Sequence, residues 1–251
     1  MNKNKIALIA GGTLLLFLVW GAGVNAVLRE LAPDIDMLAK MLISKGSLAM
    51  VMLAAMWRFG GLSYFGMTRG KDWWFMVPAL PFILMTLMVL MNPEAAFGLP
   101  ATAMMGWALV ALAVGISEEA MFRGILWRAV EDRGLLVTSL VTSLLFGAVH
   151  LSGLMTDIPA EIILSQAVFA AGVGMMFAAV RQVGGSLLAP IFFHWIFDAA
   201  AIIAAGGVRE LFDDTMSPAR LLVPGMIFFI WGLGAILLIR RRQRLQQSAV
   251  N

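Results

Sequence analysis

The chain has 251 residues, of which 61% are hydrophobic and 13% charged, with a net charge of +3 and a mean hydropathy of +0.90. A soluble domain is nearer about 45–50% apolar and about 25% charged, so composition excludes an ordinary soluble enzyme and favours an all-α, polytopic integral membrane protein. Cysteine is absent, which excludes disulfides, thiolate nucleophiles, iron–sulfur clusters and Cys-ligated zinc.

Hydropathy predicts about eight transmembrane helices, at about 6–28, 47–65, 73–92, 100–130, 135–152, 161–181, 185–206 and 221–239. Lys3 and Lys5 before the first apolar stretch superficially resemble a signal peptide. No small-residue cleavage site ends that stretch, so it reads as a retained first span. Residues 29–46 mix apolar side chains with Asp34, Asp36, Lys40 and Lys45, which predicts an interfacial helix. Arg58 and Gly60-Gly61 interrupt the second span, and Pro78 with Pro81 predicts a kink or break in the third. The fourth is longer than a bilayer requires, so Glu131-Asp132-Arg133 should protrude before a stop at Gly134. Gly172, Gly174, Gly184 and Gly185 on the sixth fit close helix packing. No internal repeat appears, and residues 1–251 read as a single membrane domain with its catalytic core at about 100–206.

Loop charge orients the chain. Lys3, Lys5, Arg69, Lys71, Arg128, Arg133, Arg181 and the cluster Arg240, Arg241, Arg242 and Arg244 fall on one side. Arg29, Lys40, Lys45, Arg209 and Arg220 fall on the other, while the loops near Glu94 and Asp157 carry no base. By the positive-inside rule both termini are cytoplasmic, in a plasma-membrane protein. The C-terminal arginines suit anionic lipid headgroups; no nucleic acid partner is expected.

Against this apolar background the ionisable residues inside spans stand out, because each costs roughly 2.5–3.5 kcal/mol to insert and so marks function by default. The fourth span holds Glu118, Glu119 and Arg123. The only histidines are His150, four residues after Phe146, and His194, four before Asp198. At about 1.5 Å per residue, Glu118, His150, His194 and Asp198 lie roughly 18, 24, 13 and 19 Å above the cytoplasmic helix ends. Glu119 and Arg123 can pair along one helix face, while Glu118 points about 100° away toward a different cavity. Alternatively, both acids neutralise Arg123 and Arg128. A buried carboxylate beside an arginine can serve as a general base, and imidazole or a protonated Asp198 can donate to an oxyanion. Phe146 reads as core packing that could also wall the site. Pro190 frees a main-chain carbonyl one turn before His194.

Three ordered motifs carry a family resemblance: Glu118-Glu119-Ala120-Met121-Phe122-Arg123, Phe146-Gly147-Ala148-Val149-His150 and His194-Trp195-Ile196-Phe197-Asp198. In these the chain resembles the CPBP family of CAAX proteases and bacteriocin-processing (Abi) proteins, over about residues 105–205. The resemblance implies a glutamate-dependent intramembrane endopeptidase that needs no cofactor. Glu118 would activate water with help from His150, and His194 with Asp198 would bind the oxyanion. Glu119 and Arg123 would hold the acidic motif in place. The expected partners are membrane lipid and a peptide or membrane-protein substrate, lipidated or not. One departure from the prenyl-protein enzymes is Asp198, where they carry Asn; as a donor it must be protonated or act through His194.

Other readings remain open at this stage. Glu118, His150 and His194 form a set that could hold zinc, although H-E-x-x-H is absent. Ser117 with a histidine could support a serine mechanism. A non-enzymatic immunity or regulatory protein, or a proton-coupled transporter, would also use buried ionisable groups.

Overall fold

In the computed structural model, residues 3–70, 73–91, 98–212 and 216–248 are described; Lys71 and Glu94 of the loop-charge argument lie outside them. The elements are α1 (Lys3–Leu31), α2 (Met37–Phe59), α3 (Met76–Leu90), α4 (Ala101–Glu119), α5 (Trp127–Val130), α6 (Leu135–Val149), α7 (Ala160–Gly184), α8 (Leu188–Ala205), α9 (Val208–Leu211) and α10 (Ala219–Ser248). A π-helical segment, Ala120–Leu126, joins α4 to α5, and a 3₁₀ segment, His150–Met155, extends α6. Eight of the resulting helices are long and apolar enough to cross a membrane, and no strand occurs among the described residues. The chain is an all-α, multi-pass membrane protein.

Two local expectations are corrected. The interfacial helix of residues 29–46 does not form: α1 runs to Leu31, and the Asp36 side chain accepts a hydrogen bond from the Ala39 N–H to start α2 at Met37. That cap decides the start, because Asp satisfies one of the four orphan donors of a first turn. The second span therefore sits earlier than 47–65 and stops at Phe59, with Gly60 as its cap and Gly61 at φ 83°. The prolines do not break the third span either. Pro78 falls in the first turn of α3, where no donor is lost, and the helix continues through Pro81. As expected, Glu131–Arg133 forms an exposed turn, ended by Gly134 at φ 87°.

The helices cross in alternation, as contacts at one end show. Lys3 Nζ meets Asp132 Oδ2 at 2.7 Å, Arg128 Nε donates to the Tyr64 carbonyl at 2.7 Å, and Thr68 Oγ1 donates to the Gly185 carbonyl at 3.1 Å. The start of α1, the loop after α2, the turn before α6 and the loop after α7 thus share one face of the bundle. This face gathers Lys3, Lys5, Arg69, Arg128, Arg133 and Arg181, six of the residues that the charge argument grouped together.

α7 is the central helix: 67% of its apolar window is buried, against a third or less for any other span. A helix apolar on all sides belongs in an interior. It packs on α3, α6, α8 and α10. Outward-facing side chains such as Leu15, Leu84, Met88, Ile230 and Leu238 stay exposed, which hydrocarbon tails tolerate and water does not.

In lipid, helices associate through close packing, and small residues permit it. A Cβ on Gly172 would stand 2.0 Å from the Gly225 carbonyl oxygen, and one on Gly225 would stand 2.6 Å from Phe169 Cα. The backbones of α7 and α10 touch there. Gly225→Ala should lower stability by about 1–3 kcal/mol, the range for overpacking. Gly234→Ala, on the same helix with nothing within 4 Å of the added carbon, should leave it unchanged. Thermal unfolding of the two variants in detergent checks this.

Candidate active site

The site begins where α4 meets α8. A Cβ on Gly115 would lie 3.3 Å from the Ile191 carbonyl and 3.5 Å from His194 Cβ, so glycine lets the two backbones close. The Trp195 indole N–H donates to the Ala108 carbonyl at 2.9 Å and fixes their register. One turn beyond Gly115 the acidic pair ends the regular helix, and the wider π-helical turn starts at the next residue. All seven residues of that turn are buried. Such turns recur at functional sites because the added residue redirects side chains.

The carboxylates converge on one imidazole. His194 Nδ1 lies 3.1 Å from Glu119 Oε1, and its Nε2 lies 3.4 Å from Asp198 Oδ2 and 3.6 Å from Glu118 Oε2. Glu119 Oε1 also accepts from Arg123 Nη1 at 3.0 Å, one helical turn on. A carboxylate held by a guanidinium is an acceptor, so His194 Nδ1 carries hydrogen and donates to it. Nε2 is then the nitrogen facing the other two acids. Glu118 does not address a separate cavity, as its 100° offset suggested; the two glutamates reach the same ring from opposite nitrogens. Nor does Arg128 neutralise this pair, since it bonds Glu131 at 2.9 Å.

Burial is graded across the cluster. The side chains of Glu119 and Arg123 are wholly buried, His194 is 8% exposed, Glu118 13% and Asp198 26%. Among the described residues the Glu118 carboxylate accepts no hydrogen bond, and 3.6 Å is too long for one from His194.

Aromatic rings close the rear. Arg123 lies 4.4 Å from the Phe146 ring centre and 6.0 Å from that of Phe177, and Phe177 lies 5.9 Å from His194. Phe146 meets His150 edge-on at 5.1 Å and His194 at 6.1 Å. It is core and site wall together. His150 stands at the change from α to 3₁₀ helix, and its Nδ1–H donates to the Phe146 carbonyl at 2.8 Å, leaving Nε2 as the basic nitrogen. It meets the cluster through a ring, not through a polar contact. Ser117 is buried and donates to the Val114 carbonyl of its own helix at 3.0 Å, away from either histidine. Among the described residues no three His, Asp or Glu side chains are grouped to hold a metal ion, so Glu118, His150 and His194 do not form a cage here.

Neither the convergence of both glutamates on His194 nor the π-helical turn was visible in the sequence. Ser139 and Ser143, completely or almost completely buried on α6, were not singled out either. Their i,i+4 spacing, continuing to Phe146 and His150 on one face, was the available signal.

Helices long and apolar enough to span a bilayer thus hold a buried acid–imidazole cluster. Residues 100–200 match the family model described as Rce1-like, type II CAAX prenyl endopeptidase, and every motif residue lies within the match. The match bears out the resemblance read from the three motifs and, at family level, indicates a protease, that is, a peptide hydrolase. No curated protein matches the chain.

Removing Arg123 would strand a buried carboxylate. Arg123→Met should destabilise the fold by about 3–5 kcal/mol, the usual consequence of breaking one side of a buried ion pair. Arg123→Met combined with Glu119→Leu should recover part of that loss, because no lone charge remains. Unfolding midpoints of the single and double variants in detergent decide the point.

Proposed function

We propose that the protein cleaves a peptide bond within or beside the bilayer, using a water molecule activated by Glu118. The observation that carries this reading is the contrast between the two adjacent glutamates. Glu119 is locked between Arg123 and His194, whereas Glu118 faces the same ring with its carboxylate unbonded and partly open. A base must be free to take a proton, and of the two adjacent glutamates only Glu118 is.

In this mechanism Glu118 removes a proton from water as its oxygen attacks the peptide carbonyl carbon. The resulting oxyanion accepts hydrogen bonds from Asp198 and from the Nε2–H of His194, the ring acting as the imidazolium whose Nδ1–H is held by Glu119, and the proton on Glu118 passes to the departing amine. Asp198, the most exposed member, donates as the protonated acid or acts through His194 Nε2 at 3.4 Å. His150, with Nε2 basic, assists the water from beyond Phe146. Glu119 and Arg123 position the ring. The substrate class is a peptide or membrane-protein segment, with or without an attached lipid, as the matched family's description suggests. Localisation in the plasma membrane with both termini cytoplasmic is supported by the basic residues gathered at one end of the bundle.

Glu118→Gln should abolish cleavage by about 10²–10⁴-fold, the contribution of a general base, without loss of folding. Comparative peptidomics of membranes from wild-type and Glu118→Gln cells reads this; identical peptide profiles would overturn the reading. Asp198→Asn, which keeps a donor, should retain activity, and Asp198→Ala should lose it. Chelators should leave cleavage intact, whereas inhibition reversed by added zinc would favour the metal-dependent alternative.

A further inference from the structure

Behind the cluster lies a second group of polar atoms that the proposed chemistry does not use. Arg123 Nε and Nη2, Glu119 Oε2, Ser139 Oγ and Ser143 Oγ are all buried, and none has a hydrogen-bond partner among the described residues. One such atom would be unremarkable. Four of them, on Arg123, Glu119 and Ser143, with Ser139 one turn along α6, require partners of another kind, because a buried donor or acceptor is rarely left unpaired.

Their arrangement identifies the partner. A Cβ placed on Gly174 would come within 2.9 Å of Arg123 Nη2 and 3.1 Å of Ser143 Cβ, so both side chains pack against this glycine in the seam between α6 and α7 and are neighbours there. Ser139 precedes Ser143 by one turn on the same face of α6. The neighbouring threonines behave differently. Thr138 and Thr142 turn their hydroxyls back onto main-chain carbonyls, Thr142 reaching that of Thr138 at 2.9 Å. The serines do not.

Guanidinium N–H groups offer donors, the free Glu119 oxygen offers an acceptor, and serine hydroxyls offer both. A ligand satisfying all of them must be small, uncharged and able to donate and accept, and a buried water with two to four polar partners fits. We propose that Arg123, Glu119, Ser139 and Ser143 bind internal water between α4, α6 and α7, which makes Ser139 and Ser143 positioning residues for the Arg123–Glu119–His194 chain. The bound water completes the guanidinium's hydrogen bonds and fixes the plane of the Glu119 carboxylate, and hence the His194 ring.

X-ray radiolytic footprinting of the full-length protein in detergent tests this, because bound water generates hydroxyl radicals in place and labels buried aromatic rings beside it. Phe146, on which Arg123 stacks, should be labelled in the wild type, whereas Phe82, equally buried in an apolar cluster, should not. Labelling of Phe146 should fall several-fold in Gly174→Ala, which pushes a methyl group against Arg123 Nη2 and Ser143, and in the Ser139→Ala/Ser143→Ala double variant. An unlabelled Phe146 in the wild type, or labelling undiminished in both variants, overturns the proposal. If a variant unfolds, Phe82 becomes labelled, and the wild type is then decided by an experimental map: water density bonded to both Arg123 and Ser143 supports the proposal, and its absence refutes it. Neither measurement needs turnover, so a protein that cleaved nothing could still pass, and a failure here would leave the proposed hydrolysis standing.

Discussion

The buried bond between Arg123 and Glu119 is the constraint on which the site depends. Neither charge could remain in this interior alone, since isolated ions in low dielectric are very costly. Paired at 3.0 Å, they give a fixed acceptor to which His194 donates, and the orientation of that ring then determines what Glu118 and Asp198 face. Static charge deep in the fold thus orders the groups nearer the opening. The division of labour between adjacent glutamates follows: one is consumed by structure, and the next is left uncommitted.

Helix packing enforces this arrangement. The close approach at Gly115 brings α4 against α8, and the glycine contacts of α7 with α6 and α10 hold the central helix tight behind them. In hydrocarbon no hydrophobic effect drives helices together, so positions without side chains do at this seam what large apolar residues do in a soluble core. The aromatic rings of Phe146 and Phe177 then fill the space around the guanidinium and add the attraction of a ring face for a cation.

Much of this was legible in the sequence. Eight apolar runs gave eight membrane-crossing helices, because a bilayer demands a narrow range of lengths. The i,i+4 spacings of Glu119 with Arg123 and of His194 with Asp198 became real contacts, since spacing on one helix fixes a shared face. What failed depended on information outside any single helix. The cap at Asp36 overrode a charged stretch that looked interfacial. The widened turn after Glu119 has no composition of its own, and with it the ideal 100° offset ceased to describe how the acids reach a neighbouring helix. His150 matched its motif, yet its ring is committed to the Phe146 carbonyl, a contact that becomes informative only once three dimensions are known.

The gradient of exposure through the cluster gives it a front and a back. Asp198 stands at the threshold, Glu118 and His194 just inside, and the arginine is sealed at the far wall. In the proposed reaction, an arriving chain segment would meet Asp198 and Glu118 first and would not touch the buried cation behind them. Under that proposal the arginine, sealed from the opening, orders the site from within and takes no part in recruiting a guest.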